Sequence, residues 1–92
     1  MPEAELVLRS RNSLLGGVVE MVVWKVPLPV PPSGHAFKYR LAFVREGQRV
    51  VGYDNERGKG DHKHIDGREF QDRFIDIDTL MRDFLRDVEN RA

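Results

Sequence analysis

Residues 18–26 constrain this chain more than any other stretch. The run Val18-Val19-Glu20-Met21-Val22-Val23-Trp24-Lys25-Val26 is apolar and mostly β-branched, interrupted only by Glu20 and Lys25. An extended backbone turns successive side chains to opposite faces, so Val18, Val22, Trp24 and Val26 share one face and Val19, Met21 and Val23 the other. A strand that is apolar on both faces requires cover on both. One helix covers one side of a small sheet, which leaves sheet curvature, a loop or a second chain for the other.

The flanking segments supply the rest of a sheet. Ala4 to Arg11 alternates weakly, as an edge strand would. Arg11-Asn12-Ser13 reads as a turn, and Gly16-Gly17 offers positive φ before the next element. The four prolines of residues 27–32 break the ladder, because proline has no N–H to donate, and they read as a stiff extended connector. From His35 to Glu46, Phe37, Tyr39, Leu41 and Phe43 face one way, and Lys38, Arg40, Ala42 and Val44 the other. Glu46-Gly47-Gln48 signals a tight turn, so the following segment returns as an antiparallel partner.

Ile77, Leu80, Met81, Phe84, Leu85 and Val88 then recur at helical spacing on one face. Asp76 or Asp78 is placed to cap that helix, accepting free N–H groups at its positive end. The expected class is α+β, a small antiparallel four-stranded sheet (ββββα) with one C-terminal helix packed on one face. Its strands span about 4–11, 18–26, 35–46 and 49–54, with a polar motif loop over 55–69 and the helix over about 77–90. The helix is expected on the face of Phe37, Tyr39, Leu41 and Phe43, with Val19, Met21 and Val23 turned away from it.

Composition narrows the class further. A chain of 92 residues has room for one domain. It has no cysteine, hence no disulfide or thiolate metal site, which fits a reducing cytoplasm. No apolar run approaches the roughly 20 residues that span a bilayer, and Glu3 and Glu5 stand where a signal peptide would be basic and apolar. A cytoplasmic protein with no membrane association is expected. Lys+Arg and Asp+Glu are equal at 15 each, so any nucleic-acid affinity rests on where the charges lie.

The stretch from Tyr53 to His64 carries the chemistry. It holds His62, His64, Lys59, Asp54 and Asp61, and no apolar side chain follows Tyr53 until Ile65. Two histidines one residue apart project to the same side of an extended segment. Histidine exchanges protons near neutral pH, so the pair could serve as general base and general acid in RNA cleavage through the 2′-hydroxyl. Lys59 would stabilise the charged phosphorane, and Gly58 and Gly60 would let backbone N–H groups approach a phosphate. Asp54 and Asp61 would orient the histidines, while Lys38, Arg40, Arg57 and Lys63 would hold the anionic backbone. The bland alternative is a solvated connector whose histidines merely hydrogen-bond. A metal held by His62 and His64 with Asp54, Asp61 or Asp66 is a third option, but Lys59 and Lys63 would repel a cation. No metal or other cofactor is expected. Gly58-Lys59-Gly60 lacks the glycine-rich lead and the Ser/Thr of a phosphate-binding loop.

Four stretches together resemble a known family. They are Tyr39-Arg40-Leu41, Tyr53-Asp54-Asn55, Gly58-Lys59-Gly60-Asp61-His62-Lys63-His64 and Asp83-Phe84-Leu85-Arg86-Asp87-Val88. In these the chain is similar to the TumE-type toxins of prokaryotic toxin–antitoxin loci, over nearly its whole length. The resemblance implies a small cytoplasmic toxin encoded beside a DNA-binding, winged-helix antitoxin, and it assigns no catalytic residues. Two functions are expectations at this point: a metal-independent endoribonuclease, or a non-catalytic module that binds nucleic acid or a partner. The face of the 18–26 strand bearing Val19, Met21 and Val23 is the expected surface for a homodimer or for the antitoxin.

Overall fold

The sheet is built from hairpins, three of which turn on a dipeptide ending in glycine. In the computed structural model, which describes residues 3–91, Leu15-Gly16, Glu46-Gly47 and Asp66-Gly67 each hold both residues at positive φ, between 51° and 81°. Such turns match the right-handed twist of the strands they join. They connect β1 (Glu5–Leu14) to β2 (Gly17–Lys25), β3 (Phe37–Arg45) to β4 (Gln48–Glu56), and β5 (Gly60–Ile65) to β6 (Arg68–Gln71). The six strands form one antiparallel sheet in chain order, and α1 (Ile77–Glu89) follows.

The α+β class and the C-terminal helix on an antiparallel sheet are as expected; the strand count is six, not four. The supposed loop over 55–69 contains the end of β4, all of β5 and the start of β6. It is polar because this edge of the sheet carries ion pairs and imidazoles on its faces instead of core. Arg11-Asn12-Ser13 is not a turn. It pairs with Glu20, Val19 and Val18, and the chain reverses at Leu15-Gly16.

The core lies between α1 and one sheet face. Val19, Val23, Tyr39, Leu41, Phe43, Val51 and Tyr53 pack there against Leu80, Phe84 and Val88. Each such side chain contributes at most about 1.5–3 kcal/mol by leaving water. Phe84 meets the Tyr53 ring edge-on at 5.7 Å between centroids. Asp76 caps the helix, its carboxylate accepting from the Thr79 N–H at 2.7 Å. That bond holds the Asp76 carboxyl below its ordinary range.

One expected face is reversed. Val19 lies opposite Phe43, Met21 opposite Leu41 and Val23 opposite Tyr39, and direct antiparallel partners share a face. The residues expected to need outside cover are therefore inside the core of this chain. A shift of one residue in register exchanges the two faces of a strand, and sequence alone did not fix that register. β2 also has no free edge, because β1 and β3 flank it. The motivation for a homodimer through residues 18–26 is thereby removed. Val18, Val22 and Trp24, half-buried, take the open face.

The proline-rich segment is docked, not a free connector. Val30 and Ser33 are buried, and the Gly58 N–H donates to the Pro31 carbonyl at 2.8 Å. Among the described residues, no helix is long and apolar enough to cross a membrane.

Candidate functional site on the open sheet face

Two cross-strand rows organise the face opposite α1. One row runs Val22, Arg40, Asp54, His62, Gln71; the next runs Ala42, Gly52, His64, Glu69. Period-two geometry keeps Trp24 and Lys38, opposite one another one step along, on this same side. Arg40 thus shares a face with both His62 and His64, as expected for a common site. Gly52 leaves room for a neighbour: a Cβ there would stand 2.8 Å from Arg49 Cδ, so the Arg49 stem lies across this face. Lys38, Arg40, Arg49 and Arg57 are exposed and border a shallow cleft with Asp54 and Glu56.

His62 is the fixed centre. Only 3% of it is exposed. Its Nδ1 donates to the Gly60 carbonyl at 2.8 Å, and its Nε2 stands 2.6 Å from Asp54 Oδ1. Despite that separation, neither atom of the second contact has a hydrogen bond of acceptable geometry among the described residues. The two atoms are close but misaligned, so no directed hydrogen bond joins them. His64 stands edge-on to His62, with 5.1 Å between ring centroids. Glu69 Oε1 reaches both rings, at 3.7 Å from each Nε2, and Lys59 Nζ lies 3.6 Å from the same oxygen. Lys59, His62, Glu69, Phe70 and Gln71 line a second cleft beside the first.

Two of the residues read from sequence as part of this site lie on the other face. Lys63 points toward α1, 3.7 Å from Asp87 and over the Tyr53 ring. Asp61 holds the third histidine instead of the other two. His35 Nδ1 accepts from the Phe37 N–H, so its Nε2 carries the proton and donates to Asp61 at 2.9 Å. Ser33 and Tyr39 hydroxyls also donate to Asp61, and the His35 ring stacks on Phe74 at 3.8 Å. Burial, and then the Asp61 charge, push the Tyr39 phenol well above its ordinary pKa. This second cluster fastens the proline-rich segment to β5. Asn55 of β4 ties in β3, accepting from the Tyr39 N–H and donating to the Phe37 carbonyl.

Glu69, Arg49 and His35 were missed in the sequence. Asp66-Gly67 was the available signal for Glu69. Aspartate-glycine is a strong two-residue hairpin turn, and a hairpin there sets residue 69 directly opposite His64.

The site is a buried imidazole flanked by one accessible imidazole, one accessible carboxylate and a lysine, next to a row of cations. Such a set can exchange protons and hold an anion. Neither a curated protein nor a solved structure is significantly similar to the chain. The family model described as Toxin TumE, however, matches residues 2–92. That span takes in the whole sheet, the polar β4–β5 hairpin and the helix behind it, and the chain belongs to the TumE toxin family.

Proposed function

We propose that this toxin acts on RNA as a metal-independent endoribonuclease at the sheet face opposite α1. The observation that supports it is one of placement. The cations Lys38, Arg40, Arg49 and Arg57 and the proton-exchanging pair His64 and Glu69 share one solvent-facing surface. The cations hold phosphates, whose charge dominates nucleic-acid affinity. One member of the His64–Glu69 pair takes the proton from the 2′-hydroxyl as its oxygen attacks phosphorus. The other gives a proton to the 5′-oxygen as the P–O5′ bond breaks. The products are a 2′,3′-cyclic phosphate and a 5′-hydroxyl. Lys59 meets the charge of the phosphorane. His62, whose side chain is only 4% accessible, is a positioning residue that holds the His64 ring edge-on and is itself held by Asp54 and Gly60. The antitoxin that a toxin of this family implies is, on this reading, a DNA-binding protein that meets it in the cytoplasm.

The test is cleavage of RNA by pure protein in EDTA. Cleavage should persist, with cyclic phosphate ends, and should fall at least about 100-fold in His64→Ala and in Glu69→Gln while RNA binding is retained. Undiminished cleavage by the double variant would remove the site. RNA binding without cleavage by the wild type would make the protein a non-catalytic binding module.

A further inference from the structure

The contact between His62 and Asp54 is incomplete as it stands. The Gly60 carbonyl can only accept, so His62 Nδ1 carries the ring proton and Nε2 of the neutral ring presents a lone pair. That nitrogen stands 2.6 Å from Asp54 Oδ1 but out of line with it, and both atoms are buried without a hydrogen-bond partner among the described residues. Two electron-rich atoms so close repel, and buried polar atoms left unpaired cost free energy. The arrangement needs a positive centre.

The same nitrogen has two further electron donors beside it. His62, His64 and Glu69 each offer one ligand atom, and these three atoms all lie within 4.8 Å of one another. Glu69 Oε1 is 3.7 Å from each imidazole nitrogen. A tetrahedral zinc ion about 2.1 Å from its ligands holds them about 3.4 Å apart. The two carboxylate-to-imidazole separations therefore need to shorten by only a few tenths of an ångström. The His62 Nδ1–H bond to a backbone carbonyl is the outer contact that metal-bound histidines make, because it fixes the tautomer and the ring.

We infer that His62, His64 and Glu69 form a binding site for a divalent transition ion, zinc first, with its fourth position open to the cleft bordered by Lys59 and Gln71. Two imidazoles and one carboxylate suit zinc, whereas magnesium and calcium favour all-oxygen sets. The repulsion expected from the lysines is halved, since Lys63 lies on the other face. Lys59 is more than half accessible, so its ammonium is free to swing into water once an ion neutralises Glu69. Asp54 remains beside the ion as a further negative charge. An ion held here ties up His64 and Glu69, so zinc acts as an off-switch. That consequence rests on the RNA reading; the binding site does not.

Zinc is titrated calorimetrically into metal-stripped full-length protein, and cobalt is used as an absorbance probe of geometry. One zinc per chain should bind, and cobalt should give tetrahedral bands. Affinity should drop at least about tenfold in His64→Ala and in Glu69→Gln. Both residues are on the rim, so their loss spares the core. His35→Gln should bind as wild type, because His35 lies on the other face. Absence of saturable binding, or binding by the two rim variants equal to that of wild type, would overturn the site. Cleavage of RNA unaffected by bound zinc would overturn the off-switch. Zinc binding by a protein that never cleaves RNA would sink the RNA reading and leave the metal site standing.

Discussion

The Tyr53 hydroxyl donates to the Asp87 carboxylate, joining a central strand to the last turns of α1 by a buried polar contact beside the apolar core. Lys63 completes the arrangement at 3.7 Å from Asp87. Burial, and then Asp87, push the Tyr53 phenol far above its ordinary pKa, as burial and Asp61 do for Tyr39.

Alkaline stability follows from those two phenols. Each is an acid whose folded-state pKa is raised above the unfolded value of 10.0. The native state keeps the proton where the unfolded chain releases it, so their stabilising contribution is full below about pH 10 and falls as pH rises above it. Absorbance at 295 nm should show no phenolate until circular dichroism reports unfolding. Tyr39 and Tyr53 are the only two tyrosines, so the signal is unambiguous. Phenolate appearing in folded protein would mean that these hydroxyls are not buried as described.

Phe84→Ala should cost about 3–5 kcal/mol, since Phe84 is fully buried and fills the space over the Tyr53 ring. A domain with a total stability of about 5–15 kcal/mol would lose much of its margin. The urea midpoint reads this directly, and an unchanged midpoint would place the helix outside the core.

Adjacent glycines should respond differently to the same change. A Cβ at Gly17 would meet the Val44 carbonyl oxygen at 2.5 Å and the Phe43 ring at 2.7 Å. At Gly16 it would meet nothing, and the penalty there is only the positive φ of 79°. Gly16→Ala should therefore cost roughly 1 kcal/mol and Gly17→Ala roughly 1–3 kcal/mol or more. Equal melting temperatures for the two variants would contradict the close approach of β2 and β3.

On the RNA reading, Arg40→Ala and Lys63→Ala should separate cleanly. Arg40 is on the open face, and its loss should lower the log–log salt slope of single-stranded RNA binding by about 0.7. Lys63 faces α1, and its loss should leave that slope unchanged. An effect of Lys63 as large as that of Arg40 would place the nucleic acid elsewhere.

The helix was legible because its apolar side chains repeat over three turns, and the terminal cap at Asp76 has the expected chemistry. β2 was legible from its nearly unbroken β-branched run and β3 from alternation. β5 and β6 were not, because Asp61, His62, Lys63 and His64 are polar on both faces and carry no period in hydrophobicity. Only turn chemistry at Asp66-Gly67 marked them. The shared face of Arg40, His62 and His64 could be read from parity within extended segments. The separation of Asp61 and Lys63 from that face follows from the same parity, once residues 60–65 are a strand. Which side α1 would cover on β2 depended on register, which single residues do not encode.

The order of the sheet bears on how the protein assembles. Every strand pairs with its neighbours in sequence, so each hairpin closes over a short loop, with the linker between β2 and β3 the longest. Short closures lose little entropy, and local pairing of this kind favours fast folding. The docking of α1 is the exception, since Phe84 and Val88 join a core whose first member is Val19. The apolar face of the nascent sheet stays wet until that late segment arrives, and it is the species in which the chain is open to aggregation.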